Sequence, residues 1–392
     1  MLYVGLDIHS KRISICVLNE TGQVVHRSQV RTIDQMMRIL EGLPDRFEVC
    51  YEASCGYGHF HDMLRPVAAR VLVAHPGRLR LIFRSSDKND RKDAERLAKL
   101  LYLGEAPAVH VPSQDVRTWR ELINCRSQVI AKRTRAKNTI RALLRSAGES
   151  PPRRPNLWTK KGVAWLRDLN LPTTSQQLRR DLLLEEIETL NRQLRRLEQE
   201  LNRRAQQTPA VGQLRSIPGV GVRTAEALAV FVDDPHRFRR AKSVGRYFGL
   251  VPRQDQSGER NRLGHITREG APVVRRLVAE AAWQARRRSP TVRAFFDRVQ
   301  QGDPQRKKIA LVATGHYLVR AMWAMLKRGT YWQENAAHAK PTPARALQQQ
   351  GCPRALVSCR VHRQGPDGLT GRATHGDGET GGRGQRRPLM QM

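Results

Sequence analysis

The sequence predicts an α/β N-terminal domain built on a mixed sheet, a helical, coiled-coil middle, and a mainly α C-terminal domain with a helix-hairpin-helix motif. Three observations carry this. Short apolar, β-branched runs at 2–8, 13–18 and 23–30, separated by turn-like HSKR and ETG segments, read as a three-strand antiparallel meander. Leu183, Ile187, Leu190, Leu194, Leu197 and Leu201 alternate at spacings of four and three, which is a heptad seam. Pro218, Gly219, Val220 and Gly221 form a tight turn between two helical runs within 214–229.

The elements follow in order. After the meander come a helical pattern at 33–42, a strand at 47–52, a helix at 57–69, a strand at 70–74 and a helix at 90–103. A meander followed by alternating α and β elements makes the sheet mixed. From 113 to 147 the pattern is helical and basic, with Arg117, Arg120, Arg126, Lys132, Arg133, Arg135, Lys137, Arg141 and Arg145. A proline-rich break at 151–155 precedes the heptad seam, which fits a hairpin within one chain, a dimerising helix or an ordinary amphipathic helix against a core. A second compact region, 208–332, reads as mostly helical. Residues 351–392 hold nine glycines, no aromatics, and seven arginines against three acids, a composition of disordered segments. The expected division is 1–150, a linker and coiled-coil helix at 151–207, the region 208–332, and a disordered basic tail at 333–392.

Charge narrows the function. Among 392 residues, 70 Lys and Arg face 36 Asp and Glu, a formal net charge of +34. An enzyme of small neutral molecules has no need of that field, and nucleic acid is the partner it suits. No apolar run approaches the roughly 18–20 residues that span a bilayer, and the first residues lack the basic and apolar regions of a secretory signal. The six cysteines form no CxxC pair, so a reduced, cytoplasmic protein without membrane contact is expected. The histidines show no HExxH spacing, and no GxxxxGK[ST] loop is present.

Four carboxylates stand out. Asp7 lies inside the apolar first strand, where a charge is costly without a partner. Glu52 ends the fourth strand. Asp90 and Asp93 lie three apart at the start of a helix and project onto one face. If strands one and four are neighbours, Asp7 and Glu52 meet. Four converging acids repel unless cations neutralise them, and hard oxygen ligands suit Mg²⁺ or Mn²⁺. Two such ions about 3.5–4 Å apart clamp the attacking and leaving oxygens of a phosphodiester. The plainer reading of Asp90 and Asp93 is as acids complementing a helix dipole, and of Glu52 as a surface residue.

In the second half, the Pro218–Gly221 turn has the helix-hairpin-helix pattern of sequence-independent DNA backbone contact, with free N–H groups at the start of the second helix suiting a phosphate. The plain alternative is an αα-corner. Residues 247–270 are glycine-punctuated and basic, with Arg253, Arg260, Arg262, His265 and Arg268 around Ser257. A serine hydroxyl needs activation to act as a nucleophile, and the arginines suit a scissile phosphate. By spacing alone, a polar loop serine is the commoner explanation.

GLDIHSK at 5–11, YEAS at 51–54 and DRKDAERLA at 90–98 resemble the DEDD domain of a bacterial insertion-sequence transposase family. Residues 208–328 resemble its C-terminal serine transposase domain, through the PGVG turn, the FGLVPRQ…SG…RLGHITREG block and the closing KKIALVATGHYLVRAMWAMLKRG. The resemblance covers about 1–332. It implies a RuvC-like, RNase H-type fold for the first domain, with Asp7, Glu52, Asp90 and Asp93 as the metal-binding DEDD acids. It implies that Ser257 becomes covalently joined to DNA, with Ser243 as the fallback. It further implies a dimer or tetramer acting on element ends and target DNA, directed by a bridge RNA. The rival readings are a Holliday-junction resolvase-like, metal-dependent nuclease and a non-catalytic nucleic-acid-binding protein.

Overall fold

The computed structural model describes residues 1–83, 90–152, 156–257 and 260–335, with backbone alone for Asp90, Arg91, Arg260 and Asn261. Strands β1 (Leu2–Ile8), β2 (Ile13–Leu18) and β3 (Val24–Val30) form the expected antiparallel meander. Helix α1 (Ile33–Glu41) starts at a capping box between Thr32 and Gln35. Strand β4 (Phe47–Glu52), helix α2 (Tyr57–Leu64) and strand β5 (Arg70–Ala74) follow. The helix expected over 57–69 stops at Leu64, because Pro66, after Arg65, has no N–H to continue the ladder.

The sheet order is β3-β2-β1-β4-β5, with β1 parallel to β4 and β4 parallel to β5. This is the mixed, RNase H-like sheet. Alternation along the strands then sorts the side chains. Val4, Leu6, Val49 and Tyr51 pack with Met36, Leu40 and Leu64 under α1 and α2. Tyr3, Cys50 and Leu72 point to the other face, which α4 (Asp90–Tyr102) covers with Ala94, Leu97, Ala98 and Leu101. Before α4 lies α3 (Pro76–Ile82), absent from the sequence reading. His75 caps it by accepting from the Gly77 and Arg78 amides.

Gly5 sets how closely α4 can lie. A Cβ there would stand 2.0 Å from the Ala94 carbonyl oxygen and 2.5 Å from the Ala98 nitrogen. Both obstacles are backbone and cannot turn aside. Gly5→Val is therefore expected to cost about 1–3 kcal/mol as an overpacked core, read as a lower thermal midpoint by circular dichroism. A midpoint equal to the parent's would mean that α4 rides on β1 more loosely than this.

The remainder is mainly helical. Helices α5 (Gln114–Ser146) and α7 (Thr174–Gln206), each 33 residues long, run antiparallel, with α6 (Lys160–Asp168) beside their closed end. The heptad seam turns inward within the chain. Ile187 packs with Ala136 and Ile140, and Leu190 and Leu194 with Val129. Leu183 is only partly buried, and its neighbour Leu184 takes the core position.

Then come α8 (Pro209–Arg215), α9 (Val222–Val232), α10 (Ala241–Tyr247), strands β6 (Pro252–Ser257) and β7 (Arg260–Ile266), and helices α11 (Pro272–Arg288), α12 (Pro290–Gln300) and α13 (Lys307–Arg328). Leu214, Leu228, Phe248, Val278, Leu318 and Met322 share one core. Two expectations need correction. The serine block is not a loop but an antiparallel β6–β7 ribbon. Every residue of β6 is exposed, so it carries no buried-face alternation to read. A helical segment long and apolar enough to span a bilayer does exist, at Pro304–Arg328. Arg320 interrupts its apolar run, and α13 uses it as a core helix with Leu318, Val319 and Met322 buried. The described residues, up to 335, form one compact unit. Of the tail expected at 333–392, the first residues are tied to α12, Glu334 accepting from the Thr291 amide and the Asn335 amide donating to Thr291 Oγ1, and 336–392 lies outside the described residues.

Candidate active site

Residue parity and strand order together place the first two acids. Asp7 and Glu52 share the α4 face with Gly5 and Cys50, and the parallel register Leu6↔Tyr51 makes them the next pair along β1 and β4. Helix α4, seated on Gly5, brings in Asp93. The three carboxylates line one cleft of about 430 Å³ together with His9, Arg80, Phe83 and Arg96. Asp90 begins α4, three residues before Asp93, and its side chain lies outside the described residues.

Asp7 is 9% exposed, and the half-exposed His9 places Nε2 3.2 Å from its Oδ2. Asp93 Oδ1 accepts from Arg96 Nη1 at 2.9 Å, and that guanidinium lies 5.2 Å from the Phe83 ring centre. Burial pushes the neighbouring Cys50 thiol up to about 12, so it stays protonated and takes no part as a thiolate. The donors are hard oxygens, which fits Mg²⁺ or Mn²⁺ and no softer ion. Among the described residues no three His, Cys, Asp or Glu side chains already enclose one point.

Ser257 is the last residue of β6, exposed and paired with Arg260 across the ribbon. Ser257 is not one of the residues lining the carboxylate cleft of its own chain. Arg253, Arg262 and Arg268 are exposed, while the Arg260 side chain lies outside the described residues. The base of the ribbon is fastened firmly. Arg275 Nη1 donates to the carbonyls of Phe248 at 3.2 Å and Gly270 at 3.1 Å, and the Thr267 amide donates to Val251 at 2.9 Å. The fallback, Ser243, is exposed on α10.

The Pro218–Gly221 turn joins α8 to α9 as the motif requires. Gly219, at φ +95, has its α-carbon against α11, where a Cβ would stand 2.5 Å from the Ala285 nitrogen. Val220 is buried, so its side chain belongs to the core. Gly221 is exposed, begins α9 without a side-chain cap, and faces open space.

Sequence reasoning missed several groups. Arg96 was findable, one helical turn beyond Asp93. Arg80 and Phe83 had no signal, because α3 itself was not foreseen. Nor did the buried Glu226, which accepts from Trp119 Nε1 and Arg223 Nη1, both at 2.6 Å. The Trp119 bond joins α9 to α5 across more than a hundred residues of sequence, while Arg223 lies on α9 itself, one turn before Glu226. Burial raises the Glu226 carboxyl while Trp119 and Arg223 oppose that rise.

Residues 211–297 match the family described as Transposase IS116/IS110/IS902, and residues 4–148 match the DEDD transposase family of the IS110 type. The chain belongs to the IS116/IS110/IS902 transposase family. A probable family 20 transposase of Pseudomonas aeruginosa is 27% identical over 84% of this chain and 98% of its own length. The transposase for insertion sequence element IS1111A of Coxiella burnetii is 27% identical over 71% of this chain and 76% of its own. That for element IS1328 of Yersinia enterocolitica is 25% identical over 84% and 98%. This transposase is thus an enzyme of DNA transposition for an insertion sequence. Its work requires binding DNA, and a DEDD-type domain implies divalent-metal use in general.

Proposed function

We propose that this transposase cuts and rejoins DNA at the element ends and target in two parts, a carboxylate site on the sheet and a serine nucleophile on the β6–β7 ribbon. The observation that carries the reading is the convergence of Asp7, Glu52 and Asp93 on one cleft, with Asp90 on the same helix. These four acids would hold Mg²⁺ or Mn²⁺, which when bound supplies Lewis-acid stabilisation of the scissile phosphate.

The chain's own residues do the rest. Asp7 and Glu52, fixed on adjacent strands, and Asp93, on a helix locked to them, keep the donor oxygens in place before DNA arrives. Ser257 Oγ attacks phosphorus. Its proton leaves, the Oγ–P bond forms, the bond from phosphorus to one deoxyribose oxygen breaks, and that oxygen takes up a proton. Arg260 and Arg262, opposite Ser257 and Asp255 across the ribbon, stabilise the phosphate's developing charge, while Arg253 and Arg268, toward the ribbon's base, hold the DNA backbone farther along. The Pro218–Gly221 turn holds the backbone nearby through its amides.

Because Ser257 stands exposed at the end of a ribbon and does not line its own chain's cleft, the reading pairs the ribbon of one subunit with the cleft of another, in a dimer or tetramer. The α7 seam is occupied by α5, so it is not the pairing surface. Leu178 and Leu182, exposed one turn apart on α7, are the apolar residues left on that helix for it. A guide RNA, implied by the family resemblance and suited by the charge of +34, would choose sequence by base pairing while the protein reads backbone and shape. The reading places the enzyme in the cytoplasm.

The test is a denaturing gel of protein incubated with labelled element-junction DNA, guide RNA and Mg²⁺. A DNA–protein adduct is expected, and EDTA is expected to remove it. Hydrolysed ends with no adduct would show instead a resolvase-like nuclease that uses water.

A further inference from the structure

We propose that Arg96 is a positioning residue that neutralises Asp93 while the cleft lacks its cations and passes to the scissile phosphate when they load. This rests on the metal-dependent reading above. An Asp–Arg pair three apart on a helix is ordinarily a surface pair of small consequence. This one differs in place. Arg96 lines the same cleft as Asp7 and Glu52, and its side chain is only 25% exposed. Its guanidinium is held from two sides, by Asp93 Oδ1 at 2.9 Å and by the Phe83 ring at 5.2 Å.

Two consequences follow. Three carboxylates facing one cleft repel, and a resident cation relieves that repulsion. Divalent ions must then compete with Arg96 for Asp93, so Arg96 lowers metal affinity in the absence of DNA. Once released, a guanidinium on the cleft wall matches two phosphate oxygens at once. Metal and DNA therefore favour each other's binding, and by linkage the coupling is reciprocal. The pair keeps the empty site quiet and makes loading depend on substrate.

Calorimetric titration of the full-length protein with Mn²⁺, with and without duplex DNA, tests this. Arg96→Gln is expected to bind Mn²⁺ roughly three- to tenfold more tightly than the parent without DNA, the effect of removing one competing charge, and to lose most of the gain that DNA gives the parent. Arg96→Lys, which keeps the charge but not the two-pronged donor, is expected to bind Mn²⁺ near the parent without DNA and to keep only part of the gain with DNA, and guards against a merely structural loss. Equal or weaker Mn²⁺ binding by Arg96→Gln, beside parent binding that Asp7→Asn weakens, overturns the role of Arg96 alone. If the parent shows no Asp7-dependent Mn²⁺ binding at all, the metal reading fails and takes this proposal with it.

Discussion

Asp7→Asn is expected to lower strand transfer by about a thousandfold or more while leaving the fold and DNA binding intact. The substitution keeps side-chain volume at a position only 9% exposed and removes the charge. Lewis-acid stabilisation is worth several kcal/mol, and roughly 4 kcal/mol corresponds to a factor near 10³. Stability should hold or rise, because Asp7 shares its cleft with Glu52 and Asp93, and like charges in one cleft repel. The measurements are a time course of the joined product, duplex binding by fluorescence anisotropy, and a thermal melt. Unimpaired strand transfer in Asp7→Asn would remove the carboxylate site from the mechanism. A fall in DNA binding matching the fall in transfer would make Asp7 structural.

The part of this site that sequence could show was the part written in local pattern. An acid inside an apolar strand announces a partner, and LYVGLDI announced Asp7. The strand runs at 2–8, 13–18, 47–52 and 70–74 were legible because both faces of the sheet are covered, leaving β-branched blocks between turns. That Asp7 and Glu52 are neighbours was legible only as a condition, since strand order depends on which edges pair. Arg80 and Phe83 could not be read, because α3 is a seven-residue helix set by one histidine cap. The β6–β7 ribbon was missed for the opposite reason, having no buried side to write a period of two. The seam on α7 was visible, but its occupant was not. A heptad stripe records that a helix is covered, and α5 in the same chain satisfies it as well as a second subunit would.

Ser257→Ala is expected to abolish the covalent DNA adduct outright while leaving DNA binding and stability unchanged. The link is an Oγ–P bond, and alanine has no oxygen to form it. An exposed residue at a strand end contributes little to folding, so the melt should shift by no more than about 0.5 kcal/mol in free energy. The ribbon is anchored at its other end, through Arg275 and the Thr267–Val251 bond, so its course survives a change at the tip. Ser243→Ala is the control. It lies in the same basic block but on α10, away from the ribbon's end, and is expected to keep the adduct. An undiminished adduct in Ser257→Ala, lost in Ser243→Ala, moves the nucleophile to the helix. Persistence in both separates the adduct from either hydroxyl. A third outcome divides the enzyme readings. Under the serine reading, Ser257→Ala gives neither adduct nor cut DNA, because no other group attacks. Cut ends without adduct in that variant, lost again in Asp7→Asn, would place a water molecule where the serine is drawn.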